Sequence, residues 1–120
     1  MHQFPEDYEL IGFFEVEPQV LDADVPWAYN ELTFNASSSN GSLTTKMVTG
    51  SELINICWYQ DGNEVLHIDL KGVLSLVVGS PTNEYEINTL VISFRDKSVS
   101  KLFVKLRPYI SVRWGYNDQQ

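Results

Sequence analysis

The sequence predicts an all-β domain: an antiparallel meander of seven or eight strands, curled into a filled barrel or a two-layer sandwich. Three observations carry that expectation. Glu64 to Val78 alternates, with Leu66, Ile68, Leu70, Gly72, Leu74, Leu76 and Val78 on one side and Val65, His67, Asp69, Lys71, Val73, Ser75 and Val77 on the other. A period of two belongs to a strand with one buried face. The dipeptides Asn40-Gly41, Gly50-Ser51 and Asp61-Gly62 are hairpin-turn signals. From Ile54 to Trp114 the inward apolar row stays even-numbered, and no helix of useful length is at hand to cover it. The sheet must therefore curl over its own dry face, with the barrel-like form favoured and its interior filled by bulky side chains.

Taken in order, Tyr8 to Val16 reads as the first strand, with Tyr8, Leu10, Phe14 and Val16 on one face and Pro18 ending it. Residues 17–29 show no clean period and form an ordered loop with a helical turn, anchored in the core by Trp27 and Tyr29. The connection is long for a β-protein, which marks it as a candidate functional loop. Glu31 to Ser38 and Leu43 to Thr49 follow as a hairpin closed by Asn40-Gly41, which sets Phe34 opposite Met47 and Ser38 opposite Leu43. Gly50-Ser51 then sets Met47 opposite Ile54 and Leu43 opposite Trp58.

The turn between Glu52–Gln60 and the next strand has two readings. A two-residue Asp61-Gly62 loop faces Ile56 with His67. An odd loop faces Ile56 with Ile68, Ile54 with Leu70 and Trp58 with Leu66. A slip of one residue would turn several apolar side chains to water, at roughly 1.5–3 kcal/mol each, so the odd loop is expected. Gly72 marks a bend, as where a strand turns a corner. Glu84 to Phe94 is the sixth strand, with Leu90, Ile92 and Phe94 inward, and Arg95 to Ser100 is a polar loop. Leu102 to Trp114 reads as one long bent strand with Pro108 at a bulge or an edge. The chain is one domain, 1–120, with frayed tails at 1–7 and 116–120.

Charge is unevenly placed. Residues 1–45 hold Glu6, Asp7, Glu9, Glu15, Glu17, Asp22, Asp24 and Glu31 and no lysine or arginine, so the whole net charge of −8 lies there. Nothing builds a basic face for nucleic acid, and a basic protein partner is the natural complement. The bland alternative is that these acids only keep the protein soluble. With one cysteine, no secretory signal at the N-terminus and no apolar run of about 20 residues, a cytoplasmic protein with no membrane segment is expected. If first and last strands met, Glu9 and Glu15 would face Lys101, Lys105, Arg107 and Arg113.

No phosphate loop, nucleophile elbow or metal-ligand spacing occurs, so no cofactor, no metal and no enzymatic activity are expected. In the expected register His67 lies opposite Cys57, and Asp69 opposite Asn55, on the outward face. Without a third ligand or an oxyanion device, the pair reads as ordinary polar surface. Glu15/Glu17 and Glu84/Glu86 read as solvated rims. Val73, Val77, Tyr85, Ile87 and Val91 group as an outward apolar patch, either a partner or homo-oligomer contact or a surface covered by the 17–30 loop.

The stretch Asp24-Val25-Pro26-Trp27-Ala28-Tyr29-Asn30, followed by Leu32-Thr33-Phe34, then Trp58-Tyr59-Gln60-Asp61-Gly62, and Leu106-Arg107-Pro108 with Val112-Arg113-Trp114-Gly115, lies in a small acidic single domain. That combination resembles the small immunity proteins of bacterial polymorphic and contact-dependent toxin systems. The resemblance implies tight neutralisation of one cognate toxin, often a nuclease with a basic cleft, and carries over no site residue. The expected partner-binding set is Glu15, Glu17, Asp22, Asp24, Trp27, Tyr29, Val73, Val77, Tyr85 and Ile87. The alternatives are a small-molecule-binding barrel, which needs an interior cavity, and a structural or oligomerising β-domain.

Overall fold

The computed structural model describes residues 1–115, so the expected tail 116–120 lies outside the described residues. Two antiparallel meanders form. One sheet runs β1 (Gln19–Val20), β2 (Glu31–Ser38), β3 (Gly41–Val48), β4 (Leu53–Gln60), β5 (Asn63–Leu70). The other runs β6 (Val73–Val78), β7 (Thr89–Phe94), β8 (Leu102–Lys105), β9 (Ser111–Trp114). They do not close into a barrel; the fold is a two-layer sandwich. The Glu64–Val78 run is divided between the two layers, because the chain turns its corner at Lys71-Gly72. Gly72 sits at φ +61°, a left-handed conformation that glycine adopts without a Cβ clash.

The first element is a helix, not a strand: α1 spans Asp7–Phe14. Glu6 N–H donates to Glu9 Oε1 at 2.9 Å in a capping box, and Asp7 and Glu9 sit at the positive end of the helix dipole. Leu10, Phe13 and Phe14, at i, i+3 and i+4, are buried, whereas Tyr8 is 74% exposed. Phe14 stacks on Phe34 of β2 with ring centres 4.2 Å apart, and Phe13 meets Phe14 edge-on at 4.8 Å. The helix thus plugs the space between the layers. Residues 1–4 do not fray either. His2 N–H donates to Leu74 O (2.6 Å), Leu76 N–H donates to Gln3 O (2.9 Å), and Met1 and Phe4 pack on the core. This segment covers the exposed edge of β6.

Several registers match the expectation. Met47 faces Ile54, Leu43 faces Trp58, Ile56 faces Ile68 and Ile54 faces Leu70. The β4–β5 turn itself is the two-residue Asp61-Gly62, with both residues at positive φ. An extra residue, Val65, restores the apolar register, since Trp58 pairs with Leu66 while Tyr59 pairs with Glu64. In the β2–β3 hairpin the turn is Ser39-Asn40, and Phe34 faces Thr45 rather than Met47. That slip of two leaves every side chain on its expected face. A Cβ on Gly41 would lie 2.1 Å from Tyr59 O, so the glycine is needed within the strand.

Two further expectations fail. Leu102 to Trp114 is a hairpin, with Val104 facing Val112 and Lys105 facing Ser111. Its connection, residues 106–110, is odd in length, so the even row keeps its side through the reversal; the Arg107–Pro108 peptide is cis. The sixth strand begins only at Thr89, leaving 79–88 as a loop gathered by the Asn83 side chain. Asn83 Oδ1 accepts from Ser80 N (3.2 Å) and Tyr85 N (3.0 Å), and Nδ2 donates to Val78 O (3.2 Å). The interior is filled by Leu32, Phe34, Leu43, Met47, Ile54 and Ile56 from one sheet and Leu76, Leu90, Ile92 and Leu102 from the other.

Candidate functional site

The longest excursion from the sandwich is the segment between α1 and β2. Glu15 ends α1 in the left-handed region (φ 59°) and its carboxylate pairs with Arg107 Nη2 at 2.9 Å. Gln19 and Val20 then pair with Thr33 and Leu32, which seats the segment on the edge of the five-stranded sheet. Residues 21–29 wrap around a buried amide. Asn30 Nδ2 donates to Asp22 O (2.6 Å) and Val25 O (2.8 Å), while Oδ1 accepts from Asp22 N (3.2 Å) and Glu31 N (2.8 Å). Thr49 Oγ1 accepts from Asn30 N at 2.9 Å, and its own hydroxyl lies 2.8 Å from Asn30 O and 3.0 Å from Trp27 O. Asx-type pairing between Asp24 N–H and Asp22 Oδ1 (3.0 Å) tightens the tip.

This wrapping separates the two expected anchors. Trp27 packs on the core, edge-on to Phe34 at 6.2 Å. Tyr29 does not plug the loop; it is 75% exposed, as is Leu21, which no pattern in the sequence marks out. Glu17, Asp22 and Asp24 are exposed and, among the described residues, form no ion pair. Glu15 is neutralised by Arg107, and Glu31 lies 3.4 Å from Lys46. Glu9 serves the helix cap and faces none of the four bases. The loop therefore presents three carboxylates whose charge no base neutralises, with a tyrosine and a leucine.

The expected apolar patch is largely dispersed. Val73 is fully buried in the core, because Leu74 is an extra residue between the Val73–Phe94 and Ser75–Ser93 pairs and turns Val73 inward. Val91, flanked in register by Val77 and Phe103, is also fully buried. Val77 is half-buried, and Ile87 is exposed in the 79–88 loop. Tyr85 packs beside Phe103, with Lys101 Nζ donating to its hydroxyl at 2.7 Å and Arg113 lying 4.8 Å above the Phe103 ring. These residues line a broad open concavity of about 1500 Å³ on the outside of the four-stranded sheet. Its rim is basic, with Lys101, Lys105 and Arg113, and Lys105 pairs with Glu86. The 17–30 segment lies on the other sheet and does not cover it.

A third feature lies on the outer face of the five-stranded sheet. Cys57 and His67 face each other as expected, and Asn55 faces Asp69. The Val65 bulge adds a group that parity alone places on the inner face: Glu64, now opposite Tyr59. Glu64 Oε1 lies 3.2 Å and Cys57 Sγ 3.7 Å from His67 Nδ1, and Asp69 Oδ1 lies 3.2 Å from Nε2. The expectation that the Cys57–His67 pair has no third companion is thus corrected. Cys, His and Asp stand in the order of a nucleophilic relay, but burial pushes the Cys57 thiol up, which disfavours the thiolate.

Hydrogen bonds that the protonated ring donates to Asp69 and Glu64 raise the His67 pKa above its ordinary value. The raised value means that this contact adds stability below the ordinary histidine range and loses it as pH rises through the folded-state pKa. The His67 ring resonances of the metal-free protein should therefore titrate above the ordinary histidine range. Asp69→Asn should lower that midpoint, and an unmoved midpoint would contradict the contact.

No family model matches the chain, and no curated protein matches it. Among solved structures, the fold is similar to a chain of a contact-dependent growth inhibition toxin–immunity protein complex from Klebsiella pneumoniae 342. The match has a TM-score of 0.77 and 22% identity, and it covers 95% of this chain and 96% of that one. The resemblance read from size, charge and pattern therefore has a counterpart in three dimensions: the two-layer sandwich, nearly end to end, is a fold found in such a complex.

Proposed function

We propose that this protein is an immunity protein that binds and neutralises one cognate toxin domain in the bacterial cytoplasm, without catalysis of its own. The observation that supports it most is the fold likeness to a chain of a toxin–immunity complex over 95% of the sequence. The surface chemistry agrees. Between the layers the space is filled by packed apolar side chains, so specific recognition falls to the outside. The 17–31 segment offers unpaired Glu17, Asp22 and Asp24 to a basic partner, with exposed Tyr29 and Leu21 as anchors. Charges steer and orient the encounter, while buried aromatic contacts hold the complex. Glu15 supports the loop through Arg107, and Trp27 fixes it from below. Val77 and Tyr85 line the opposite concavity, and they and the exposed Ile87 belong to a secondary surface at most. Val73, being interior, leaves the partner-binding set.

The small-molecule reading needs an interior cavity, which the filled sandwich does not favour. The oligomer reading loses Val73 to the interior, and Val91 is covered on the outer face with Val77 and Phe103 beside it, so a monomeric mass at working concentrations is expected.

The test asks whether the neighbouring reading frame encodes a large secreted toxin, and co-expresses the C-terminal domain of that toxin with this protein. The two chains should co-purify, and cells expressing the toxin domain should survive only with this protein present. Neither co-purification nor protection would overturn the reading. Within it, the triple variant Glu17→Gln, Asp22→Asn, Asp24→Asn should slow association roughly tenfold at low salt, with little change in dissociation. An unchanged on-rate would remove the acidic loop from the mechanism.

A further inference from the structure

We propose that Cys57, Glu64 and His67 form a zinc-binding site on the outer face of the five-stranded sheet. One sulfur, one nitrogen and one carboxylate oxygen lie within 4.8 Å of one another. Around a tetrahedral zinc with ordinary bond lengths, neighbouring donor atoms sit roughly 3.4–3.6 Å apart. The Sγ–Nδ1 separation of 3.7 Å and the Nδ1–Oε1 separation of 3.2 Å are close to that spacing. Rotation of the half-exposed Glu64 side chain closes the remaining edge.

The site is built by a specific backbone feature. Glu64 and His67 are three apart, and in a regular strand they would point to opposite faces. Val65 is the extra residue that brings both to the same face, opposite Tyr59 and Cys57. The imidazole is also held from behind. With its proton on Nε2 it donates to Asp69 Oδ1 at 3.2 Å, and the Asn55 amide in turn donates to that carboxylate. A carboxylate behind a histidine fixes the ring and directs Nδ1 to a metal. A mixed sulfur, nitrogen and oxygen donor set suits zinc, whereas magnesium and calcium take oxygen. His67 and Glu64 side chains are each 46% exposed, so water reaches the fourth position.

Cobalt(II) serves as a visible probe of the whole chain, with zinc as competitor. The expected result is one cobalt per chain, a sulfur-to-cobalt charge-transfer band in the near ultraviolet, and its displacement by zinc. Cys57→Ser should abolish the band. Glu64→Gln and His67→Gln should each weaken binding by tenfold or more, and Asp69→Asn by roughly 10–100-fold with the band retained. Thermal unfolding without metal checks that each variant folds; Glu64→Gln and Asp69→Asn, at exposed positions, keep the test decisive if Cys57→Ser does not. Absence of the band would overturn the proposal. So would a band indifferent to Glu64→Gln and His67→Gln, which would mark adventitious binding to a thiol.

Discussion

Phe14→Ala should lower the unfolding free energy by about 3–5 kcal/mol, while Tyr8→Ala should change it by less than about 0.5 kcal/mol. The contrast follows from the helix. Phe14 is fully buried and stacked on Phe34, with Phe13 against its edge, so truncation leaves a cavity between the layers. Tyr8 lies on the opposite side of α1 and is 74% exposed. A strand over residues 8–16 would instead place Tyr8 and Phe14 on one buried face and make both changes costly. Urea denaturation of the two variants separates the cases. Comparable losses would show that the first element is not the helical plug described above.

Asn30→Ala should cost about 2–4 kcal/mol, since it removes one amide that satisfies two carbonyls and two N–H groups at the centre of the loop. Each buried polar group left without a partner costs about 1–3 kcal/mol, and water entering the loosened loop recovers part of that. The damage should be local as well as global. Amides of residues 21–29 should exchange faster than those of β3 and β4, and, under the proposed function, affinity for a toxin domain should fall as the loop loses its presented shape. Asn30→Asp keeps the acceptor but sets a carboxylate oxygen against the Asp22 and Val25 carbonyls, so it should cost at least as much as alanine. A loss below about 0.5 kcal/mol for Asn30→Ala would mean that Trp27, Thr49 and the Gln19–Val20 pairing hold the loop without the amide.

Much of the sandwich was readable because parity is a strong constraint. The β3–β4 and β4–β5 registers follow from keeping Met47, Ile54, Ile56 and Ile68 dry, and the Gly72 corner follows from a glycine inside an alternating row. The failures share a physical origin: a period of two has other solutions. Leu10 and Phe14 fit a strand and a helix equally, and only the burial of Phe13 with the exposure of Tyr8 separates them. A slip of two in the β2–β3 hairpin changes no face and so no transfer energy. A strand that passes Pro108 and a hairpin with an odd connection both keep Leu102, Val104 and Val112 on one side.

The candidate sites were less legible for the same reason. Extra residues at Val65 and Leu74 each invert the parity of one neighbour, bringing Glu64 out and taking Val73 in. No composition signal announces them. Asn30 reads as a turn residue in sequence; that it organises the loop emerges only when Asp22, Val25 and Thr49 converge on it. Leu21 gains meaning only once Gln19 and Val20 are seen to form an edge strand. The acidic excess was legible as a count, but which acids are free depends on Arg107 and Lys46 meeting Glu15 and Glu31.

Hydrogen exchange of the full chain, free and saturated with the toxin domain that the proposed function assigns to it, asks most directly where such a partner sits. Slowed exchange concentrated in residues 17–31, lost when Tyr29 and the three free acids are replaced together, is the predicted result. Protection confined to the basic concavity around Tyr85, Phe103 and Arg113, with residues 17–31 unchanged, would contradict it.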